Sequence, residues 1–198
     1  MPDRGKNSQG IVDRRLSVAL IVATLIASWL GMQWVHEAGH VLAAWVTGGS
    51  VQRVVLHPLS ISRTDLDLNP RPLFTTWGGP TFGVLVPVAA WITARSLRLN
   101  SAFLLQFFAG FCCVANGAYI GFGSFDAVGD CGELLKHGAQ PWQLWTFGVV
   151  AGAAGFLVWN RLGSRFGIGR HPAAVSKSQV VIVAAIGASL AAIGLLWA

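Results

Sequence analysis

The most informative residues of this chain are two histidines and a glutamate in the sequence His36-Glu37-Ala38-Gly39-His40. Histidines four residues apart project from one face of an α-helix, about 40° apart at roughly 100° per residue. Both imidazoles can therefore bind one metal ion, and Glu37 lies where it can act as general base on a water molecule beside that ion. The spacing indicates a hydrolytic metal site with His36 and His40 as ligands and Glu37 as the catalytic base.

The motif lies in a segment that is otherwise free of ionisable side chains. From Leu16 to Val46, the ionisable residues are His36, Glu37 and His40 alone. Such groups are costly within a membrane, so they mark functional sites and should face the protein interior. This setting argues against a chance match to the motif.

The composition predicts an all-α polytopic membrane protein. Of the 198 residues, 54% are hydrophobic and only 11% are charged, whereas a soluble domain carries about a quarter charged residues. About five segments lack charges, apart from Glu37, and approach the roughly 20 residues that a transmembrane helix requires. These segments are Leu16–Val46, Thr75–Ala94, Leu99–Phe125, Trp142–Asn160 and Gln179–Ala198.

We expect residues 1–15 to form a basic N-terminal segment and residues 16–198 a single membrane-embedded domain. Within that domain, residues 16–135 hold the unusual chemistry and form the core, and residues 141–198 supply accessory packing helices. The first span exceeds the length of one crossing, so it should tilt, protrude or break near Gly31.

The insert Gly48–Arg71, between the first two spans, has strand-like composition in two places, Ser50–Leu56 and Leu59–Ser62. A short hairpin there could offer an unpaired edge to an extended peptide, and an ordinary surface loop is the alternative.

The formal net charge of +6 does not indicate nucleic-acid binding, because the basic residues sit in short segments between apolar runs and form no basic face. They are better interpreted as topology signals. Their distribution places the N-terminus in the cytoplasm, and it puts His36 and His40 nearer the outer face of the membrane than its midplane.

A third metal ligand must come from elsewhere in the chain, since catalytic zinc usually takes three protein ligands and leaves one position to water. Glycine and acidic residues are concentrated after the third apolar span, in the stretch from Gly121 to Leu135. For each Asp in that stretch, capping of the following helix is the alternative role. The candidates near membrane depth are Asn116, Asp126, Asp130, Glu133 and His137.

These features together resemble the site-2 protease family of intramembrane zinc metalloproteases, in its compact bacterial branch. His36-Glu37-Ala38-Gly39-His40 matches the family's His-Glu-x-x-His, and Gly79-Pro80 resembles the Gly-Pro of its next helix. The acidic stretch after Asn116 occupies the place of the family's Asn...Asp-Gly motif, although this chain has no Asp-Gly dipeptide. Leucines four and five residues after Asp130 match the family's pattern, which favours Asp130 over Asp126 as the third ligand.

The resemblance covers residues 16–135, the family's three-helix core, with the strand-like insert between its first and second helices. It implies an intramembrane endopeptidase of a bacterial cell membrane, with one zinc per chain and a membrane-protein or membrane-associated peptide as substrate. Asn116 could bind the substrate or the oxyanion, or make only an interhelical hydrogen bond.

Two other classes of function remain. One is a catalytically inactive membrane scaffold of the same fold. The other is a metal or proton transporter, against which the second, fourth and fifth spans count because they contain no acidic residue and no histidine.

Overall fold

The computed structural model describes residues 13–197 and confirms the all-α polytopic architecture. Five helices are long and apolar enough to cross a membrane: α1 (Arg14–Val46), α2 (Pro72–Ser96), α3 (Ala102–Asp126), α5 (Pro141–Trp159) and α6 (Lys177–Leu196). A hairpin of β1 (Ser50–Val55) and β2 (Arg63–Leu68) follows α1, the short helix α4 (Gly129–Lys136) follows α3, and a 3-10 turn spans Gly163–Phe166. Most of the basic N-terminal segment 1–15 lies outside the described residues.

Helix α1 is continuous through Gly31, so the first span does not break there. Its 33 residues extend about 50 Å, compared with a hydrocarbon thickness of about 30 Å. The side chain of Asp13 caps the N-terminus by accepting a hydrogen bond from the backbone N–H of Arg15 at 2.9 Å. His36 lies about 33 Å along the helix from Arg14, which places the His36–His40 motif toward the far end of this span.

Helices α1, α2 and α3 pack together around the motif, and the later helices support them from outside: α5 packs on α3, and α6 packs on α1. Small residues allow the α3–α5 backbones to approach closely, as is usual for membrane helices. A Cβ on Gly148 of α5, for example, would lie 2.8 Å from the Cα of Gly121. Large apolar side chains such as Val149, Leu157 and Val181 are exposed on the outer helix faces, as expected for contact with lipid.

The predicted insert is an antiparallel hairpin, but the predicted second strand is wrong. Leu59–Ser62 lies in the connection between the strands, where the backbone N–H of Ser60 donates to the carbonyl of His57 at 3.1 Å. The strand forms instead at Arg63–Leu68, with Asp65 opposite Arg53 of β1. The apolar residues after Pro58 suggested a strand, whereas the turn at His57–Ser60 leaves them exposed at the tip of the hairpin.

A sharp reversal after α3 brings α4 back against the helical core. Ala127 and Gly129 both adopt positive φ, 50° and 55° respectively, a conformation that glycine tolerates without steric cost. Cys131 and Leu134 of α4 are fully buried in an apolar cluster shared with α3 and α5. This packing turns Asp130 toward α1.

Candidate metal centre

Three side-chain atoms from two elements converge between the helices. The Nε2 atoms of His36 and His40, both on α1, lie 3.1 Å apart. Asp130 Oδ2, from α4, lies 2.9 Å from Nε2 of His36 and 3.2 Å from Nε2 of His40. Both histidines are 7% exposed, so the group sits at depth within the protein and could hold a metal ion.

The other nitrogen of each imidazole contacts an oxygen that can only accept a hydrogen bond. His36 Nδ1 lies 2.7 Å from Oδ1 of Asn116, and His40 Nδ1 lies 2.9 Å from the carbonyl oxygen of Thr75. The amide of Asn116 is oriented by its own donor, because its Nδ2 donates to the carbonyl of Cys112 at 2.9 Å. Both Nδ1 atoms must therefore carry the proton, which leaves the Nε2 lone pairs facing Asp130.

This donor set fits zinc. Two imidazole lone pairs and a carboxylate oxygen directed at one point repel each other unless a shared cation lies between them. In tetrahedral zinc sites, bonds of 2.0–2.1 Å place the ligand atoms about 3.3 Å apart, close to the separations of 2.9, 3.1 and 3.2 Å among these three atoms.

The carboxyl group of Asp130 is held in the ionised form that a metal ligand requires. Burial alone would raise the pKa of Asp130, but a positive charge shared with the Nε2 atoms of His36 and His40 outweighs that effect and holds the pKa well below its usual range. Its side chain caps no helix, since Val128 occupies the N-cap position of α4 without a side-chain hydrogen bond.

Tyr119 orients Asp130 and was missed by the sequence analysis. Its hydroxyl oxygen accepts a hydrogen bond from the backbone N–H of Asp130 at 3.0 Å, one of the N–H groups that the start of α4 leaves unpaired. A Cβ on Gly129 would collide with the same hydroxyl. The available signal was that the only tyrosine of the chain lies three residues after Asn116 within an apolar span.

Gly79 of α2 allows that helix to pass directly over the two imidazoles. A Cβ at this position would lie 2.8 Å from Nε2 of His36 and would collide with the ring of His40. Pro80 follows inside the helix and lacks the backbone N–H that would pair with the carbonyl of Thr76, four residues earlier. The neighbouring carbonyl of Thr75 binds His40. The Gly-Pro pair thus belongs to the wall of the site.

Glu37 is 3% exposed, and the hairpin holds its carboxylate. The hydroxyl of Thr64, on β2, donates to Oε2 of Glu37 at 2.6 Å. No hydrogen bond from residues 13–197 reaches the other oxygen, Oε1. One carboxylate oxygen is therefore anchored, and the other is available to exchange a proton.

Glu37, His36, His40 and Asp130 line one cavity of about 1410 Å³. Toward the N-terminal part of α1 its wall consists of Trp29, Met32 and Gln33. Its opposite part contains charged residues from the hairpin and α4, namely Arg63, Asp65, Glu133 and Lys136. The polar side gives water a route to a centre that is otherwise surrounded by membrane helices.

The remaining candidates lie apart from the three ligand atoms. Asp126 is exposed at the end of α3 and does not join the group. Glu133 pairs on the surface with Lys136, at 3.2 Å, and with His137, also at 3.2 Å. Both polar ends of Asn116 are engaged in hydrogen bonds, one of them interhelical, and a contact between Asn116 and substrate stays a prediction.

We expect Asp130→Ala to lose most of its bound zinc, because two histidines alone leave the ion one protein ligand short. Asp126→Ala removes an equivalent carboxylate outside the centre and should bind zinc as the wild type does. Metal content per protomer, measured by mass spectrometry on the purified proteins, tests both. Loss of zinc in the Asp126 variant but not in the Asp130 variant would contradict this assignment.

A family model described as Peptidase M50B-like matches residues 16–118. The match covers just over half of the chain and includes both histidines, Glu37, Gly79 and Asn116, but ends before Asp130. Comparison with curated proteins and with solved structures gives no significant match. With its five membrane-length helices and its paired histidines, the chain is a multi-pass membrane protein that belongs to the M50B-like peptidase family.

Proposed function

We propose that this protein is an intramembrane zinc endopeptidase that cleaves membrane proteins or membrane-associated peptides. The observation that supports this function best is the convergence of His36, His40 and Asp130 beside the carboxylate of Glu37. A scaffold that binds no metal has no use for three mutually repelling ligand atoms at membrane depth. The family membership supports peptide-bond hydrolysis as the reaction.

His36, His40 and Asp130 would hold the zinc ion, one per chain. Zinc supplies two effects when bound: it polarises the scissile carbonyl, and it lowers the pKa of a water molecule toward 7. Glu37 accepts the proton of that water and passes it to the amide nitrogen of the leaving group. Thr64 holds one carboxylate oxygen through its hydrogen bond, so the other oxygen performs both transfers from a fixed position.

The cavity favours a peptide over a small molecule as substrate. Its volume of about 1410 Å³ exceeds the roughly 300–1,000 Å³ of typical small-molecule pockets. A transmembrane substrate must unwind locally before cleavage, since the carbonyls of an intact helix are hydrogen-bonded within it. The charged side of the cavity supplies the water that hydrolysis consumes. A cytoplasmic N-terminus would make this side face outward.

Glu37→Gln should retain zinc and lower the cleavage rate about a thousandfold, because it removes the proton acceptor while preserving the shape of the side chain. The measurement is proteolysis of fluorogenic transmembrane peptides in detergent, with products identified by mass spectrometry. Asp67→Asn, a matched amide substitution on the exposed part of the hairpin, should cleave at the wild-type rate. Undiminished cleavage by the Glu37 variant would contradict the mechanism. A zinc-loaded wild type that cleaves no peptide would instead support an inactive scaffold.

Thr64→Val should lower kcat about tenfold at unchanged zinc content, because the Glu37 carboxylate loses the donor that orients it. Thr64→Ser restores the hydroxyl and should recover most of the activity. Ser50→Ala is the matched control, since it removes the hydroxyl that donates to Asp67 at 3.5 Å on the same hairpin. Equal losses in the Thr64→Val and Ser50→Ala variants would show that the hairpin as a whole, rather than this contact, affects activity.

A further inference from the structure

Gln33 carries a buried polar group that the proposed catalytic steps leave unused. The residue is 4% exposed, and its amide nitrogen has no hydrogen-bond partner among the described residues. Buried amides normally have partners, and an unpaired one destabilises the folded state. Gln33 also lines the cavity that contains the metal-binding group. Its unpaired donor is therefore adjacent to the place where a substrate would bind.

Gln33 lies on the face of α1 that carries His36 and Glu37, and that face lines the cavity. It lies four residues before Glu37, so the two side chains are neighbours on one helix face, one turn apart. The last torsion of a glutamine side chain is broad, so a small rotation turns the amide N–H groups into the cavity.

Asn116, the other buried amide of the cavity wall, differs from Gln33 in having both polar ends occupied. It binds His36 Nδ1 at 2.7 Å and the carbonyl of Cys112 at 2.9 Å. An unwound peptide would bring main-chain carbonyls into the apolar part of the cavity beside Trp29 and Met32, where they need donors. Among the described residues, Gln33 carries the one buried amide of the cavity wall whose nitrogen has no hydrogen-bond partner.

We propose that Gln33 binds the substrate, donating a hydrogen bond from its carboxamide to a main-chain carbonyl next to the scissile bond. This inference rests on the proposed peptidase function and identifies a residue that recognises the unwound peptide backbone. The unpaired amide costs the free protein stability and gains its partner when a peptide binds. Removing the amide should consequently affect stability and peptide binding in opposite directions.

The test uses Gln33→Met, which keeps the length and volume of the side chain but removes the amide. Two zinc-binding probes are titrated into the zinc-loaded protein by calorimetry: a leucine-rich tripeptide hydroxamate, and acetohydroxamate, which has no peptide backbone. We expect Gln33→Met to weaken the tripeptide hydroxamate about tenfold and to leave the Kd of acetohydroxamate unchanged. Its Tm should equal or exceed that of the wild type.

Gln106→Met is the matched control, because Gln106 is a membrane-helix glutamine whose amide is already paired. Its Nε2 donates to the carbonyl of Val158 at 2.7 Å, so its substitution should lower Tm and leave both Kd values unchanged.

A lowered Tm for Gln33→Met would overturn the inference, since it would reveal a structural partner for the amide. Equal effects on the two hydroxamates, or an effect on neither, would overturn it as well. None of these outcomes would contradict the proposed peptidase function. A wild-type protein that binds neither probe would overturn the metal centre itself, and the Gln33 inference with it.

Discussion

The Nδ1 atoms of His36 and His40 each face an oxygen that can only accept a hydrogen bond, the side chain of Asn116 and the backbone of Thr75. These two contacts fix the tautomer of both rings, and they turn both Nε2 lone pairs to a single point beside Asp130. In water such contacts would be worth little, but Asn116 and Thr75 are each only 1% exposed, so solvent competes little for these partners. The packing of α2 and α3 against α1 is therefore inseparable from the chemistry of the site.

Helix α3 supplies none of the three candidate metal ligands, yet it orients two of them, which lie on two other elements. Asn116 binds the ring of His36, and Tyr119, three residues later on the same face, binds the backbone of Asp130. A shift of α3 would move both ligands together. The β1–β2 hairpin likewise orients Glu37, since the hydroxyl of Thr64 donates a hydrogen bond to its carboxylate. A contact from a neighbouring element therefore orients each of His36, Asp130 and Glu37.

The sequence predicted the parts of this arrangement that depend on local periodicity. The apolar spans gave the five long helices to within a few residues, and the spacing of His36, Glu37 and His40 gave their shared face. Contacts between residues far apart in the chain leave no comparable pattern in the sequence. Nothing local indicated that Thr64 would meet Glu37 or that Tyr119 would anchor Asp130, because both contacts depend on turns between the partners, at His57–Ser60 and at Ala127 and Gly129. The misplaced second strand has the same cause. The turn after His57, rather than strand propensity, determines that β2 begins at Arg63.

X-ray absorption at the zinc edge of the purified protein is the most direct test of the central claim. The account predicts a shell of nitrogen and oxygen atoms at about 2.0–2.1 Å, with the outer-shell scattering of two imidazoles. A sulfur shell at about 2.3 Å would contradict it, because it would place a thiolate such as Cys131 at the metal in place of the Asp130 carboxylate. Scattering from fewer than two imidazoles would contradict it equally.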